Sequence, residues 1–381
     1  MKIAIIGGGI GGLTTAIALQ RKGFTDITVY EAAPEIQAIG AGILLASNAM
    51  TIFERLGIAQ QIKATGNVLE SVNIANHQGE VLSKVDFTKI IKRFGNGTVS
   101  IHRGRLQRIL LENLNKNTVL VRKRLKNLLY TEGGKTELFF EDETTAEPDI
   151  VIAADGIHSV VRKHIFGEIP LRYSGQTCWR GITQMLLDNP KESVEMWGKR
   201  GGLRACVSQV SDTEVYWYIT LKHKQGLKLS EIETKPFLSN LVEEFNSPIQ
   251  KVVQLTENQH ILHNDLFDFK PIKTWYKDNI LLVGDAAHTT TPNLGQGACQ
   301  AIEDAFALAN CLKDTPSVKN AFLNFQNARI KKATFVVNTS YQIGQLSNIG
   351  GFIGYRLRNT LMKIAPTSIV EKQFNYLFTI P

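Results

Sequence analysis

The chain has 381 residues, with 43 Lys or Arg against 35 Asp or Glu, a formal excess of eight positive charges at pH 7. Its 43% hydrophobic and 20% charged residues are those of a folded globular protein and exclude a largely disordered one. Four cysteines (Cys178, Cys206, Cys299 and Cys311) form no CxxC pair and are too sparse for a disulfide framework. The basic balance leaves three partner classes open: nucleic acid, an anionic membrane surface, or small phosphate-bearing and acidic ligands.

From Ile3 to Gln20 the chain carries no charge, the superficial pattern of a signal or membrane segment. Gly7, Gly8, Gly9, Gly11 and Gly12 lie inside that run, and each costs about 1 kcal/mol in a helix. The segment is therefore read as strand, glycine turn and helix, which predicts a cytoplasmic protein without an integral membrane segment. Lys2–Ile6 is a strand, Leu13, Ile17 and Leu19 mark a helix ending at Lys22-Gly23, and Ile27–Tyr30 is a second strand ending at Glu31. Val119–Val121, Leu138–Phe140 and Asp149–Ala154 read as further strands. Between Gly175 and Leu221 the segments Gly181–Met185, Ser193–Trp197, Arg204–Val210 and Val215–Leu221 alternate, as in an antiparallel sheet with one solvated face. Ser230–Phe245 reads as a helix, Ile280–Val283 as a buried strand, and Ala298–Leu312 and Val318 to about Ile343 as long helices. The predicted fold is α/β: a Rossmann-type domain from 1–172 and 275–345, interrupted by a β-sheet substrate domain over 173–274. Part of 65–100 is expected to join the inserted domain, and 346–381 is a tail packed on the body.

Two motifs carry chemistry. In Gly7-x-Gly9-x-x-Gly12, Gly7 permits a tight turn, Gly9 lets backbone approach a pyrophosphate, and Gly12 lets helix and strand pack closely. The helix start then offers free N–H donors to phosphates. Glu31 follows Gly12 by 19 residues, where a carboxylate accepts from an adenosine ribose. Gly284-Asp285-Ala286-Ala287-His288 follows the last strand, and Pro292-Asn293-Leu294-Gly295-Gln296-Gly297 opens a helix at Ala298. There Asp285 suits a ribityl hydroxyl, and the helix start suits an anionic ring. His288 reads equally well as a structural residue, and Cys178 and Cys206 as small packed ones. The sequence shows no metal-ligand spacing and no nucleic-acid motif.

These motifs, with Asp155-Gly156-x-x-Ser159-x-x-Arg162, resemble the class A FAD-dependent aromatic monooxygenases, relatives of para-hydroxybenzoate and salicylate hydroxylases, over about residues 1–345. The resemblance implies FAD held by Gly7, Gly9, Gly11, Gly12, Glu31 and Ala32 at the adenosine end. Arg103, within Ile101-His102-Arg103-Gly104-Arg105-Leu106, would reach the diphosphate, and Leu125 would contact the adenine side through its backbone. Asp155 would serve flavin and nicotinamide handling, Asp285 the ribityl chain, and Gly295, Gln296, Gly297, Ala298 and Cys299 the pyrimidine edge of the flavin. No second glycine motif has strand–turn–helix context, so NADPH or NADH would visit as co-substrate without a Rossmann site of its own. The implied reaction reduces FAD with NAD(P)H and hydroxylates a small aromatic or other electron-rich substrate with O2 through a flavin C4a-hydroperoxide. The alternative is a reductase or dehydrogenase of the same fold without oxygen activation.

Cys178-Trp179-Arg180-Gly181 resembles salicylate-hydroxylase-like and epoxidase-like members. Arg204 and Tyr216, 12 residues apart, stand where the urate hydroxylase branch has its substrate Arg and Tyr. Unlike that branch, this chain has Asn293 in place of an acid before the Gly-Gln-Gly loop, which argues against urate. Arg204 and Tyr216 remain the candidate substrate contacts, with a surface Arg and a core Tyr as the alternative. The tail from Gly350 to Pro381 mixes aromatic and leucine residues with Arg356, Arg358 and Lys363. It reads either as a cover for the substrate domain or as a segment lying on an anionic bilayer. A monomer or a homodimer is expected.

Overall fold

The computed structural model describes residues 1–36, 41–130, 135–364 and 367–380. Short buried apolar runs build a six-stranded sheet in the order Tyr276–Lys277, Ile280–Leu282, Ile150–Ala153, Ile3–Ile6, Ile27–Tyr30, Val119–Leu120. All neighbours are parallel except the first pair. Strands buried on both faces need no polar alternation, which is why Ile150–Ala153 reads Ile-Val-Ile-Ala. Helices Ile10–Arg21, Gly297–Asp314 and Val318–Ser347 extend this layer, so both ends of the chain build one nucleotide-type domain.

The second layer is a seven-stranded sheet in the order Leu262–Asp268, Arg172–Gln184, Glu214–Lys222, Arg204–Gln209, Glu192–Trp197, Ser71–Asn76, Val81–Asp86. Two of its strands come from 71–86, far from the central segment in sequence; Ser71–Asn76 pairs in parallel with Glu192–Trp197. One face carries Trp179, Val207, Trp217 and Ile219, packed under helices Glu231–Val242 and Ile249–Leu255. The opposite face carries Arg180, Glu195, Arg204, Cys206, Ser208, Tyr216 and Tyr218. It turns toward the nucleotide domain, as the Ser208–Ser100 hydroxyl contact of 3.1 Å shows. A hydroxyl-, guanidinium- and phenol-rich sheet face toward the other domain is what a substrate chamber needs.

The tail forms two helices, Phe352–Ile364 and Thr367–Phe378. The first lies against the Val81–Asp86 edge of the large sheet. The second sends Leu377 and Phe378 into the core of the nucleotide domain, where Phe378 meets Phe94 edge-on at 5.8 Å. The tail therefore covers both domains. Among the described residues, no helix is long and apolar enough to cross a membrane.

Candidate active site

The nucleotide end follows from backbone geometry. Gly7 has φ +105, and a Cβ there would stand 2.5 Å from the Ala154 carbonyl oxygen. A Cβ on Gly12 would stand 2.0 Å from the Gly7 carbonyl oxygen, so helix and turn touch only because Gly12 is bare. A Cβ on Gly9 would meet nothing within 4 Å: its side faces open space at the start of helix Ile10–Arg21, whose first N–H groups have no side-chain cap. Gly11 packs against Ala301 of the helix Gly297–Asp314.

Glu31 is fixed by its own turn, its two carboxylate oxygens accepting from Gly8 N–H at 2.6 Å and Ala33 N–H at 2.7 Å. Each oxygen keeps acceptor capacity for a ligand hydroxyl. Ala32 lies in the same turn, beside a cavity of about 370 Å³ lined by Gly8, Gly9, Glu31, Ala33, Pro34, Ile36 and Gln107 among others. Gln107 was not singled out from the sequence, although it lies one helical turn after Arg103, on the same face. Leu125 opens the strand Leu125–Tyr130; the residues just before it are tied to this turn by Arg122 N–H to Ala33 O at 2.9 Å and Lys123 N–H to Glu31 O at 2.8 Å.

Arg103 and Asp285 share a telling combination. Both keep solvent-accessible surface. Yet the surrounding protein lowers the Arg103 pKa and raises that of Asp285, burial being the largest cause for each, partly offset by their mutual attraction. Groups that a solvent molecule can touch but that protein encloses line a deep crevice. Arg180 stands near enough to Arg103 to repel it. Asp155 is half-buried: its Oδ2 accepts from Val161 N–H at 3.2 Å, its Oδ1 has no hydrogen-bond partner, and burial raises its pKa.

At the far end, Gly295 takes a left-handed turn (φ 64) out of the short 3-10 turn Pro292–Leu294. Gln296 then caps helix Gly297–Asp314, leaving the first N–H groups of Gly297, Ala298 and Cys299 without an intrahelical acceptor. The side chains of Gln296 and Cys299 point away. Gln296 Oε1 accepts from Asn48 at 3.0 Å and Gln300 at 3.1 Å, and the Cys299 thiol, pushed up to about 12 by burial, lies 3.8 Å from Leu44 O. Only their backbone can serve a ligand. Asn48 gave no sequence signal, because its partners, Gln296 and Glu303, are 248 and 255 residues away.

Arg204 is 1% exposed, not a surface residue. It donates to Thr220 Oγ1 at 3.2 Å, to Glu195 at 3.5 Å, and to Asn293 Oδ1. Asn293 in turn donates to Thr291 Oγ1 at 3.0 Å and Ser340 O at 3.1 Å. Glu195 also accepts from Trp197 at 2.6 Å and from the Tyr218 hydroxyl. Tyr216 pairs with Ser208 while Arg204 pairs with Thr220, so the two share a face but stand about 13 Å apart along it. Tyr216 is half-buried against Gly42, where a Cβ would come within 2.4 Å of its ring. Tyr218 and Glu195, between them, were not singled out from the sequence.

Fold and crevice together define a nucleotide-type α/β layer packed against a second, polar-faced sheet. Residues 1–316 match the model of the FAD binding domain family. The chain is 32% identical to aurachin C monooxygenase/isomerase of Stigmatella aurantiaca, covering 97% of this chain and 96% of that one. It is 32% identical to 2-heptyl-3-hydroxy-4(1H)-quinolone synthase of Pseudomonas aeruginosa strain UCBPP-PA14, over 100% and 98% of the two chains. The crystal structure of Klebsiella pneumoniae HpxO complexed with FAD and uric acid superposes with a TM-score of 0.91 at 25% identity, over 100% and 97%. The chain thus belongs to the class A FAD-dependent aromatic monooxygenases. It is an enzyme, an FAD-dependent monooxygenase, and the reading without oxygen activation is set aside.

The crevice fits FAD. An open Gly9, an uncapped helix start and accessible Arg103 match a diphosphate, Glu31 a ribose, and Asp285 with the Gly297 helix start a ribityl chain and flavin edge.

Proposed function

We propose that the chain uses NAD(P)H and O2 to hydroxylate an uncharged, flat nitrogen heteroaromatic of the alkyl-4-quinolone class. When bound, FAD supplies the redox chemistry, accepting hydride and activating oxygen. The observation that carries the substrate class is Asn293: a neutral amide stands at the mouth of the flavin loop, with its amide oxygen and nitrogen engaged by Arg204, Thr291 and Ser340. A pinned amide cannot take a proton from an acidic purine; it presents a fixed dipole to a neutral ring. A relative of matching length, named for making a 3-hydroxy-4-quinolone, supports the same class.

In this reading the glycine turn, Glu31, Ala32, Gln107 and Arg103 hold the adenosine diphosphate end, with Leu125 at the adenine. Asp155 backs the crevice, Asp285 holds the ribityl chain, and the N–H groups of the Gly295–Cys299 segment face the flavin pyrimidine. Arg204 is a positioning residue that holds Asn293 and Glu195, and Tyr216 forms a wall of the chamber. Tyr218, whose hydroxyl donates to Glu195 on the chamber face, relays the proton that the substrate ring releases as oxygen is inserted: the phenol oxygen accepts it as its own hydroxyl proton passes to the Glu195 carboxylate.

The test is NAD(P)H and O2 consumption by purified holoenzyme with a 2-alkyl-4-quinolone, urate or salicylate. The quinolone should accelerate oxidation and gain one oxygen atom by mass; acceleration by urate instead would overturn the assignment.

A further inference from the structure

The helix Phe352–Ile364 is inverted relative to a helix that packs by its apolar face. Arg358 and Asn359 point inward, and Arg358 donates to Ile349 O at 3.0 Å and Gly198 O at 2.8 Å beneath the Trp197 ring. Outward go Phe352 at 70%, Ile353 at 77% and Ile364 at 68% exposure, with Leu357 and Leu361 at least half exposed. At 100° per residue, 353, 357, 361 and 364 form one stripe, and Arg356 and Lys363 border it on one side. Burying a cation while exposing five large apolar side chains costs stability in water, so the stripe calls for an apolar medium outside the protein.

Charge selects that medium. After Asp314 the chain holds eight Lys or Arg and one acid, Glu371. Arg329 and Lys332 are buried and paired, whereas Arg356 and Lys363 are exposed on the helix itself. Lys199 and Arg200, also exposed, meet the start of the helix, where Gly351 N–H donates to Lys199 O at 3.0 Å. The Arg356 guanidinium lies over the Phe352 ring at 4.2 Å, at the border of the apolar stripe. Part of this charge is offset, since Glu80 pairs with Lys363 and Glu243 and Glu244 lie beside Lys199 and Arg200. The 13-residue helix is about 20 Å long, too short to span the roughly 30 Å of a bilayer core but suited to lying in its surface.

We propose that this helix docks the enzyme on an anionic bilayer surface, inserting Ile353, Leu357, Leu361 and Ile364 between headgroups. The inference is independent of the substrate class proposed above. The test floats full-length holoenzyme on a density gradient with vesicles of phosphatidylcholine alone or with added phosphatidylglycerol, at low and high salt. Comparison is with a double variant, Ile353→Asp with Leu357→Asp, whose flavin absorbance and NAD(P)H oxidation should match the parent. Docking predicts flotation with the phosphatidylglycerol vesicles, weaker in high salt, and about a tenfold or greater loss in the variant. Absence of flotation, or equal flotation of both proteins, overturns the proposal. So does light scattering that shows a vesicle-free dimer abolished by the variant, which would make the occupant a second copy of the chain.

Discussion

Gly9 and Gly12 belong to one motif but fail for different reasons when given a methyl group. In Gly12→Ala the new carbon collides with the Gly7 carbonyl, so the apoprotein itself must distort. In Gly9→Ala it enters open space, so the apoprotein should melt as the parent does while FAD affinity drops by at least about tenfold, because the methyl stands where the diphosphate approaches. Flavin titration and apoprotein melting curves separate the two. Arg204 offers a second contrast. Arg204→Ala leaves Asn293 Oδ1 and Glu195 short of a donor in a buried place, a loss of about 3 kcal/mol, with retained FAD absorbance and substrate-stimulated NAD(P)H oxidation reduced at least about tenfold. Unchanged stimulated oxidation would remove Arg204 from the positioning of the chamber. Tyr218→Phe keeps the ring and removes only the hydroxyl, so it should lower kcat more than it raises KM.

Helix Gly297–Asp314 does two jobs at the element scale, leaving its first turn open and anchoring itself with its second and third. Glu303 pairs with Arg329 and with Lys332 at 2.7 Å, and Asp304 pairs with Arg329 and with His288 at 2.5–2.8 Å, all of them buried. Asn48 joins Glu303 to Gln296, so the network ends at the Gly295–Gly297 turn. Burial alone would raise the Asp304 pKa, but His288 and Arg329 outweigh it and hold the carboxyl at about 2. Since the folded pKa lies below the unfolded one, this group stabilises the protein above pH 4 and loses that contribution as pH falls from about 4 toward 2. The contribution is on the order of 2 kcal/mol. In Asp304→Asn the denaturant midpoint should be lower at pH 7, and its decline between pH 4 and 2 should be shallower than in the parent.

For the whole molecule, the tail ties the two domains together. Leu377 and Phe378 are buried in the nucleotide core, and the Thr379 carbonyl accepts from Lys332 at 2.9 Å. Ending the chain before Thr367 should therefore lower the melting temperature by roughly 5–10 °C, read by calorimetry on holoenzyme, as two buried apolar side chains and one partner of a buried cation are lost. An unchanged melting point would show that the second tail helix adds no stability to the body.

The geometry of the glycine turn was legible in the sequence because it is local: a glycine turn, a helix start and an acid closing the next strand lie within 31 residues and need only backbone geometry. The same holds for Gly284–Asp285 and Gly295–Gly297, where strand end and helix start follow each other directly. Gln107, Asn48, Glu195 and Tyr218 were not legible, since each acquires its role from a partner in another strand or from the crevice it lines. The parallel insertion of 71–76 beside 192–197, and the inward turn of Arg358, likewise depend on which faces meet in three dimensions. The sequence by itself thus carried the nucleotide-type turn and, through its family resemblance, FAD, because such motifs depend only on local spacing. Tertiary structure alone decided which polar groups meet, because a pinned neutral Asn293, a buried Arg204 and a polar sheet face exist only once long-range packing has aligned the strands.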